Sequence, residues 1–458
     1  MVRFRNRFMR KGKSKAGTLA SIKAVVFSSW LNLFLVIMPL AWYSHFENAA
    51  ANHHEPPEEP GWPYPLTFAL CFLAILPLEH LFEYGGEQMT FYVGKDLGDL
   101  LVVTLNNVVE ATLAIVLLTK CELKLLQSTI IGVVILHLLL IPGTAFVAGG
   151  ARVVHQDLHP HLSQLNHTLL AIGVMALLLP TAFFASVQGV EQTTVEESVN
   201  DASRLVFLQM SRGLAIIMLL VYFCSRVYLH NPPGDDNALN LNKARDAPNG
   251  LKHEEEEFEK RDPEVSQWVC LGMLAIAIAL MAATAEWLVD SMEFVREEGR
   301  VKEEWFGLIL LPLISFSADG VLAAMFFFRY LARHYLGHPS PPSTVAKARA
   351  IDLSIQFLLF WMPFLILLAW WINKPLTLLF DIFEVALIIA AMFLVNYVTA
   401  DAKTNWAEGV SLVAFYAMIA CVSWFYTGQV AIHDMHQCTS LAAFFAGGGA
   451  AEGAAEGH

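Results

Sequence analysis

Asn106, Asn107 and Glu110 stand together inside Gly94–Ile115, GKDLGDLLVVTLNNVVEATLAI, an apolar run long enough to cross a bilayer. On a helix, Asn107 and Glu110 lie three residues apart and share a face, so an amide oxygen and a carboxylate address the same point. An acid in the membrane costs roughly 2.5 to 3.5 kcal/mol on insertion scales, which makes a cation or proton its expected partner and a buried hydrogen-bond network the structural alternative. The second half of the chain holds a counterpart. Asp319 is the only acid in FGLILLPLISFSADGVLAAMFFF, where Pro312, Ser315, Ser317 and Gly320 permit a kink and refill the freed backbone hydrogen bonds. Glu110 and Asp319 are the expected cation ligands, with Asn107, Ser317 and Gln356 as further oxygen donors of a site that binds either a cation or a proton.

Around this set stand secondary positions: Asn106, Glu87, Glu286, His137 and Ser354. Glu83 and Glu87 close an apolar run near 63–83, and Glu286 and Asp290 close one near 267–289, so acids occupy comparable places in the two halves. They either funnel cations to the site or solvate helix ends. His137 lies deep in the run 124–149, where one satisfied hydrogen bond is the alternative to ligation. Ser354 and Gln356 open the run 350–372 and bring neutral oxygens.

The elements that must position these residues are membrane-spanning helices. The chain of 458 residues is 56% hydrophobic and 16% charged, too apolar for a soluble protein of this size. Its formal charge of -13 is concentrated in loops, and nothing supports a nucleic-acid partner. Of the six cysteines, Cys71, Cys224, Cys270 and Cys421 lie in apolar runs as packing residues. Cys121 and Cys438 can reach the same non-cytosolic compartment, yet they are expected to stay unpaired. No nucleophile and base pair or metal-ligand motif is present, so an enzyme is not expected.

A basic tail, 1–21, precedes an extra N-terminal helix at 22–44, longer than a signal-peptide core and without a cleavage site. The positive-inside rule places that tail in the cytosol. Apolar runs near 63–83, 99–119, 124–149, 166–188 and 203–229 make a first repeat, 63–229. An acidic linker, 230–266, follows, then runs near 267–289, 305–330, 350–372, 375–399 and 408–427 as a second repeat, 267–427, and a Gly/Ala-rich tail, 428–458. The expected fold is an all-α polytopic membrane protein with about eleven transmembrane helices. Five crossings per repeat invert the second against the first, which puts the site near the membrane midplane where the repeats meet. The linker and the basic loop 329–349 then share the cytosolic side. The His/Glu segment 45–59 has no fixed metal spacing, and the Asn166 sequon falls on the cytosolic side or is buried.

The chain resembles the Ca2+/H+ antiporters of the vacuolar CAX type, within the cation/Ca2+ exchanger superfamily, over roughly 80–427. GGEQMTFYVGKDLGDLLVVTLNNVVEATLAI is similar to the segment that ends in the family's GNAVE, with Asn107 and Glu110 on its Asn and Glu and Glu87 on the acid upstream. GVVILHLLLIPGTAFVAGGAR and SRGLAIIMLLVY resemble the helices that follow. In the second half AEWLVDSMEF, GLILLPL, SIQFLLFWMPFLILLAWW and FEVALIIAAMFLVNYVTADAKTNWAEG match in order and spacing. The departures are local. Ser315 to Gly320, SFSADG, stand where the family has GNAAEH; Leu136 and His137 replace a serine and an asparagine; Asn106 replaces a glycine. The resemblance implies a sodium/calcium exchanger-like fold and cation/proton antiport, with Ca2+ moved from the cytosol into an acidic organelle such as the vacuole. It implies no cofactor, cation and proton as substrates, and lipid as surroundings; it assigns no oligomeric state. An antiporter for Na+, K+ or Mn2+ keeps the same fold, and a transport-inactive homologue regulating through its acidic linker is the alternative of another class.

Overall fold

The computed structural model describes residue 8 and residues 17–51, 61–150, 155–158, 160–190, 201–230, 262–313, 316 and 349–438. Ser317 and Asp319, most of the acidic linker and the basic loop lie outside the described residues. Among those described, seven helices are long and apolar enough to cross a membrane, and two further pairs pass the same test as bent spans. The chain divides into two compact units, each of which draws helices from both halves of the sequence.

The first unit contains α1 (Thr18–Val26), a 3-10 segment (Trp30–Val36), α2 (Ile37–Ala51), α3 (Tyr64–Val93), α4 (Lys95–Asn106), the start of α5 (Val108–Lys120) and, out of chain order, the later helix Gln267–Gly299. The run 22–44 is not one straight helix: α1 and the stretch that follows it are bent by 88°. Asn32 causes the stop. Its amide donates to the carbonyls of Val25 at 2.9 Å and Val26 at 3.2 Å, taking the place of backbone N–H groups that would continue α1. Trp42 then reaches Thr284 Oγ1 at 3.3 Å, and Asn48 reaches Thr67 Oγ1 at 3.2 Å, which ties α2 to its neighbours without leaving buried donors open.

Helix α3 extends well past the apolar run that marks it. Glycine lets it approach helices on two sides: a Cβ on Gly85 would come 2.7 Å from Leu274 and Met273, and one on Gly86 would come 3.1 Å from Val102. At Gly94 the backbone takes φ 111, a value only glycine adopts freely, and the chain doubles back into α4. The entry to Gln267–Gly299 is fixed on α3, because Gln88 Oε1 accepts from the backbone of Glu264 at 2.9 Å and Tyr92 donates to the Val265 carbonyl at 2.7 Å.

The second unit is built on α6 (Leu123–Gly150), which passes through a π-helical turn at Leu136–Leu140. Beside it lie α7 (Pro160–Val190), α8 (Asp201–His230) and, following Gln267–Gly299 (α9), α10, made of Glu303–Trp305 and a π-turn at Phe306–Leu310. The remaining helices are α11 (Ala350–Trp371, π-turn at Phe357–Trp361), α12 (Ile382–Val398), α13 (Trp406–Ser423) and a short α14 (Val430–Met435). Strands β1 (Gln156–Asp157) and β2 (Lys403–Thr404) pair antiparallel. Lipid offers no hydrophobic drive between helices, so close backbone approach holds them together. Gly143 and Gly409 supply it between α6 and α13, where a Cβ on Gly143 would come 3.0 Å from the Gly409 carbonyl.

The run 375–399 is helical only from Ile382. Asp381 caps α12, its carboxylate accepting from Phe383 N at 3.0 Å. The backbone before it is irregular, and side chains satisfy it: Thr181 donates to Phe380 O at 2.9 Å, Ser211 accepts from Leu378 N at 2.8 Å, and Gln127 donates to Leu379 O at 2.9 Å. Non-helical backbone at this depth is tolerated because it is enclosed by protein.

The cysteine expectation is corrected. Cys121 and Cys438 form a disulfide, with Cα atoms 6.4 Å apart and a sequence separation of 317. Docking of the C-terminal segment brings them together. There His436 is buried, its Nδ1 donating to Ile432 O at 2.8 Å and its Nε2 accepting from the Thr377 hydroxyl at 2.9 Å, with the Gln127 amide 3.0 Å away. This arrangement selects a neutral ring, and burial pushes the imidazole down to about 4 from 6.5. The unfolded chain therefore binds more protons between those values, so the stabilisation is complete above pH 6.5 and fades as pH falls toward 4. Thermal unfolding followed against pH is expected to show this slope, worth at most roughly 3 kcal/mol, and His436→Gln is expected to flatten it.

Candidate functional site

Gly94–Ile115 does not form a single helix. Helices α4 and α5 meet at Asn107 with a bend of 49°, and Asn107 itself has φ -92 and ψ 3. Its carbonyl accepts the first bond of α5, from Ala111 N at 3.0 Å, so Asn107 is the entry residue of α5 and Glu110 sits in its first turn. The break has two electrostatic consequences. The carbonyls that end α4 lack the donors a continuous helix would bring, and the positive end of α5 lies beside the Glu110 carboxylate. Oxygen atoms of backbone and side chain are thus concentrated at one place in the apolar segment.

Asn107 is completely buried and Glu110 is 3% exposed, while Asn106 is half-buried. The side-chain oxygen of Asn106 lies out of water with no hydrogen-bond partner among the described residues, an arrangement suited to a cation. The same Asn-x-x-Glu spacing recurs at Asn405 and Glu408, where both reciprocal capping bonds are made, at 3.0 and 3.1 Å. Spacing alone therefore does not distinguish a cap from a cation site; the helix break within an apolar span does. In the same unit Glu87 is half-buried on α3, and Glu286 is on an exposed face of α9.

The other candidates described lie in the second unit. Gln356 immediately precedes the π-turn of α11, is 1% exposed and donates from its amide nitrogen to Tyr222 OH at 2.9 Å. Ser354 is buried, and its hydroxyl donates back to the Ala350 carbonyl at 3.3 Å, a bond within its own helix. His137 is 2% exposed, inside the π-turn of α6. π-Turns leave backbone groups out of the regular ladder, and they recur at functional positions.

Sequence reading did not single out a further set in this unit: Lys124, Ser128, Glu304, Asp381 and Glu384. A signal was available, since Glu384 in FEVALIIAAMFLV is an acid in an apolar run, as Glu110 is.

Polytopic helices with a polar break inside a span define an integral membrane carrier. The chain belongs to the sodium/calcium exchanger protein family, which it matches over residues 63–230 and 269–425. It is 29% identical to a protein of Schizosaccharomyces pombe named vacuolar calcium ion transporter, over 91% of this chain and 90% of that one. A protein of Cryptococcus neoformans var. grubii with the same name is also 29% identical, over 89% of this chain and 76% of the relative. Among solved structures, native YfkE superposes with a TM-score of 0.61 at 21% identity, covering 86% of this chain and all of YfkE, which establishes the exchanger fold.

Proposed function

We propose that this protein is an antiporter that exchanges Ca2+ for H+ and removes Ca2+ from the cytosol into an acidic organelle, the vacuole. The observation that carries the reading is the buried Glu110 at the α4–α5 break, flanked by the amides of Asn106 and Asn107. Family membership and the names of the relatives support it. A carboxylate removed from water is stable either with a proton or with a cation beside it. The two occupants exclude each other, so exposing the group alternately to the two sides produces exchange.

In this reading Glu110 and Asp319 are the charged ligands, and Asn107, Ser317 and Gln356 supply neutral oxygens. Ca2+ takes six to eight oxygens, so backbone carbonyls at the break and water complete the shell. Asn106, Glu87, Glu286, His137 and Ser354 serve as secondary or gating positions. With the seven basic residues between Arg3 and Lys15 on the cytosolic side, the α5–α6 turn and α14 face the organelle lumen.

A cation screen of proton release from reconstituted vesicles tests the proposal. Ca2+ is expected to drive release. Release with Na+, K+ or Mn2+ in its place reassigns the ion, and no release with any of them leaves a regulatory role through the acidic linker.

A further inference from the structure

Three helix starts in the second unit, those of α6, α10 and α12, converge under residues 428–433. Between them is a cavity of about 20 Å³, room for one water, whose walls include Lys124, Ser128, Glu304, Asp381, Glu384 and His433. Its acids are not equally provided for. Lys124 Nζ pairs with Glu304 at 2.7 Å and has Glu303 at 3.9 Å. The Asp381 carboxylate accepts three hydrogen bonds, from Phe383 N, Gln429 N and Tyr426 OH, at the positive end of α12. Glu384 is 5% exposed, and its one hydrogen bond among the described residues is the Ser128 hydroxyl donating to Oε1 at 2.5 Å.

The charges facing Glu384 make the asymmetry decisive. Glu304 and Asp381 are acidic neighbours, Glu303 and Asp434 lie near Lys124, and the phenol of Tyr426 is committed to Asp381. One lysine offsets only part of this set, and it is already paired. A further unpaired negative charge in a buried site is strongly disfavoured. We propose that Glu384 is a second proton-binding site of the transporter, distinct from Glu110, and that it exchanges its proton with water in this cavity. The step is simple: the O–H bond of the Glu384 carboxyl breaks, a cavity water takes the proton as hydronium, and the carboxylate is left facing Lys124. Resting on the Ca2+/H+ reading, occupancy of this site sets how exchange responds to pH at the end of the protein where α14 lies.

Infrared difference spectra of the full chain in lipid, wild type against Glu384→Gln, test the proton directly. At neutral pH the wild type is expected to show a carboxylic-acid C=O stretch that the variant loses, and Ser128→Ala is expected to shift that band upward as a hydrogen bond is removed. In proteoliposomes Glu384→Gln is expected to retain Ca2+-driven proton movement but to lose its dependence on pH at the α14 end. A spectrum with no band lost, or a pH profile that superposes on that of the wild type, overturns the proposal. Wild type that carries the Glu384 band yet moves no Ca2+ against H+ sinks the antiport reading while retaining the proton site. If Glu384→Gln fails to fold, the Ser128→Ala band shift decides: a shift supports the site and an unmoved band refutes it.

Discussion

Glu110→Gln is expected to abolish proton-driven Ca2+ uptake into vesicles. Gln keeps the shape of the side chain at the first turn of α5, so the bend at Asn107 and the packing around it are retained. What disappears is the negative charge that either occupant needs. Leaving a buried charge without its partner costs about 3 kcal/mol or more, roughly a hundredfold or greater in binding, while the empty protein gains because a charge no longer has to be buried. The combination is diagnostic: uptake falls to background and thermal stability is unchanged or higher. Uptake at the wild-type rate in this variant removes Glu110 from the site, whatever ion is carried.

The second large effect falls on packing. A Cβ on Gly132 of α6 would overlap the Leu308 carbonyl and would lie 2.7 Å from the Pro312 ring. From the opposite side, a Cβ on Gly307 would meet Ser128 Cβ at 2.9 Å. Two helices touch here through backbone, which cannot rotate away as a side chain can. Overpacking of this kind costs about 1 to 3 kcal/mol, occasionally more, and displacement of α10 would also strain the Lys124–Glu304 pair at its start. Gly132→Ala is therefore expected to lower the melting temperature in detergent markedly and to broaden the size-exclusion peak. Gly213 of α8 provides the control, since nothing lies within 4 Å of a Cβ placed there. Gly213→Ala is expected to be neutral or stabilising, because alanine favours the helix. Equal losses in both variants would refute the contact argument.

Several tertiary features have no local signature in the chain. Asn32 ends α1 by reaching back to carbonyls six and seven residues earlier, and hydropathy is blind to such a bond. The residues just before Ile382 are as apolar as a span, yet they are held in irregular backbone by side-chain donors from α6 and α7 and a side-chain acceptor from α8. Ser128 and Glu384 are 256 residues apart, and the disulfide closes a still longer separation. These pairings depend on which helix ends meet, information that a one-dimensional pattern does not contain.

Sequence by itself determined the membrane class, most of the helical spans, and Asn107 with Glu110 as the polar centre of one of them. A bilayer imposes a length and an apolarity on every crossing, and it makes each buried acid conspicuous. Only the tertiary structure decided that this span breaks at Asn107, that the C-terminal segment is fastened over the start of α6, and that Glu384 shares a small cavity with Lys124 and Asp381. Backbone hydrogen bonds must be satisfied wherever a helix stops in lipid, and which distant side chain supplies them is settled by packing.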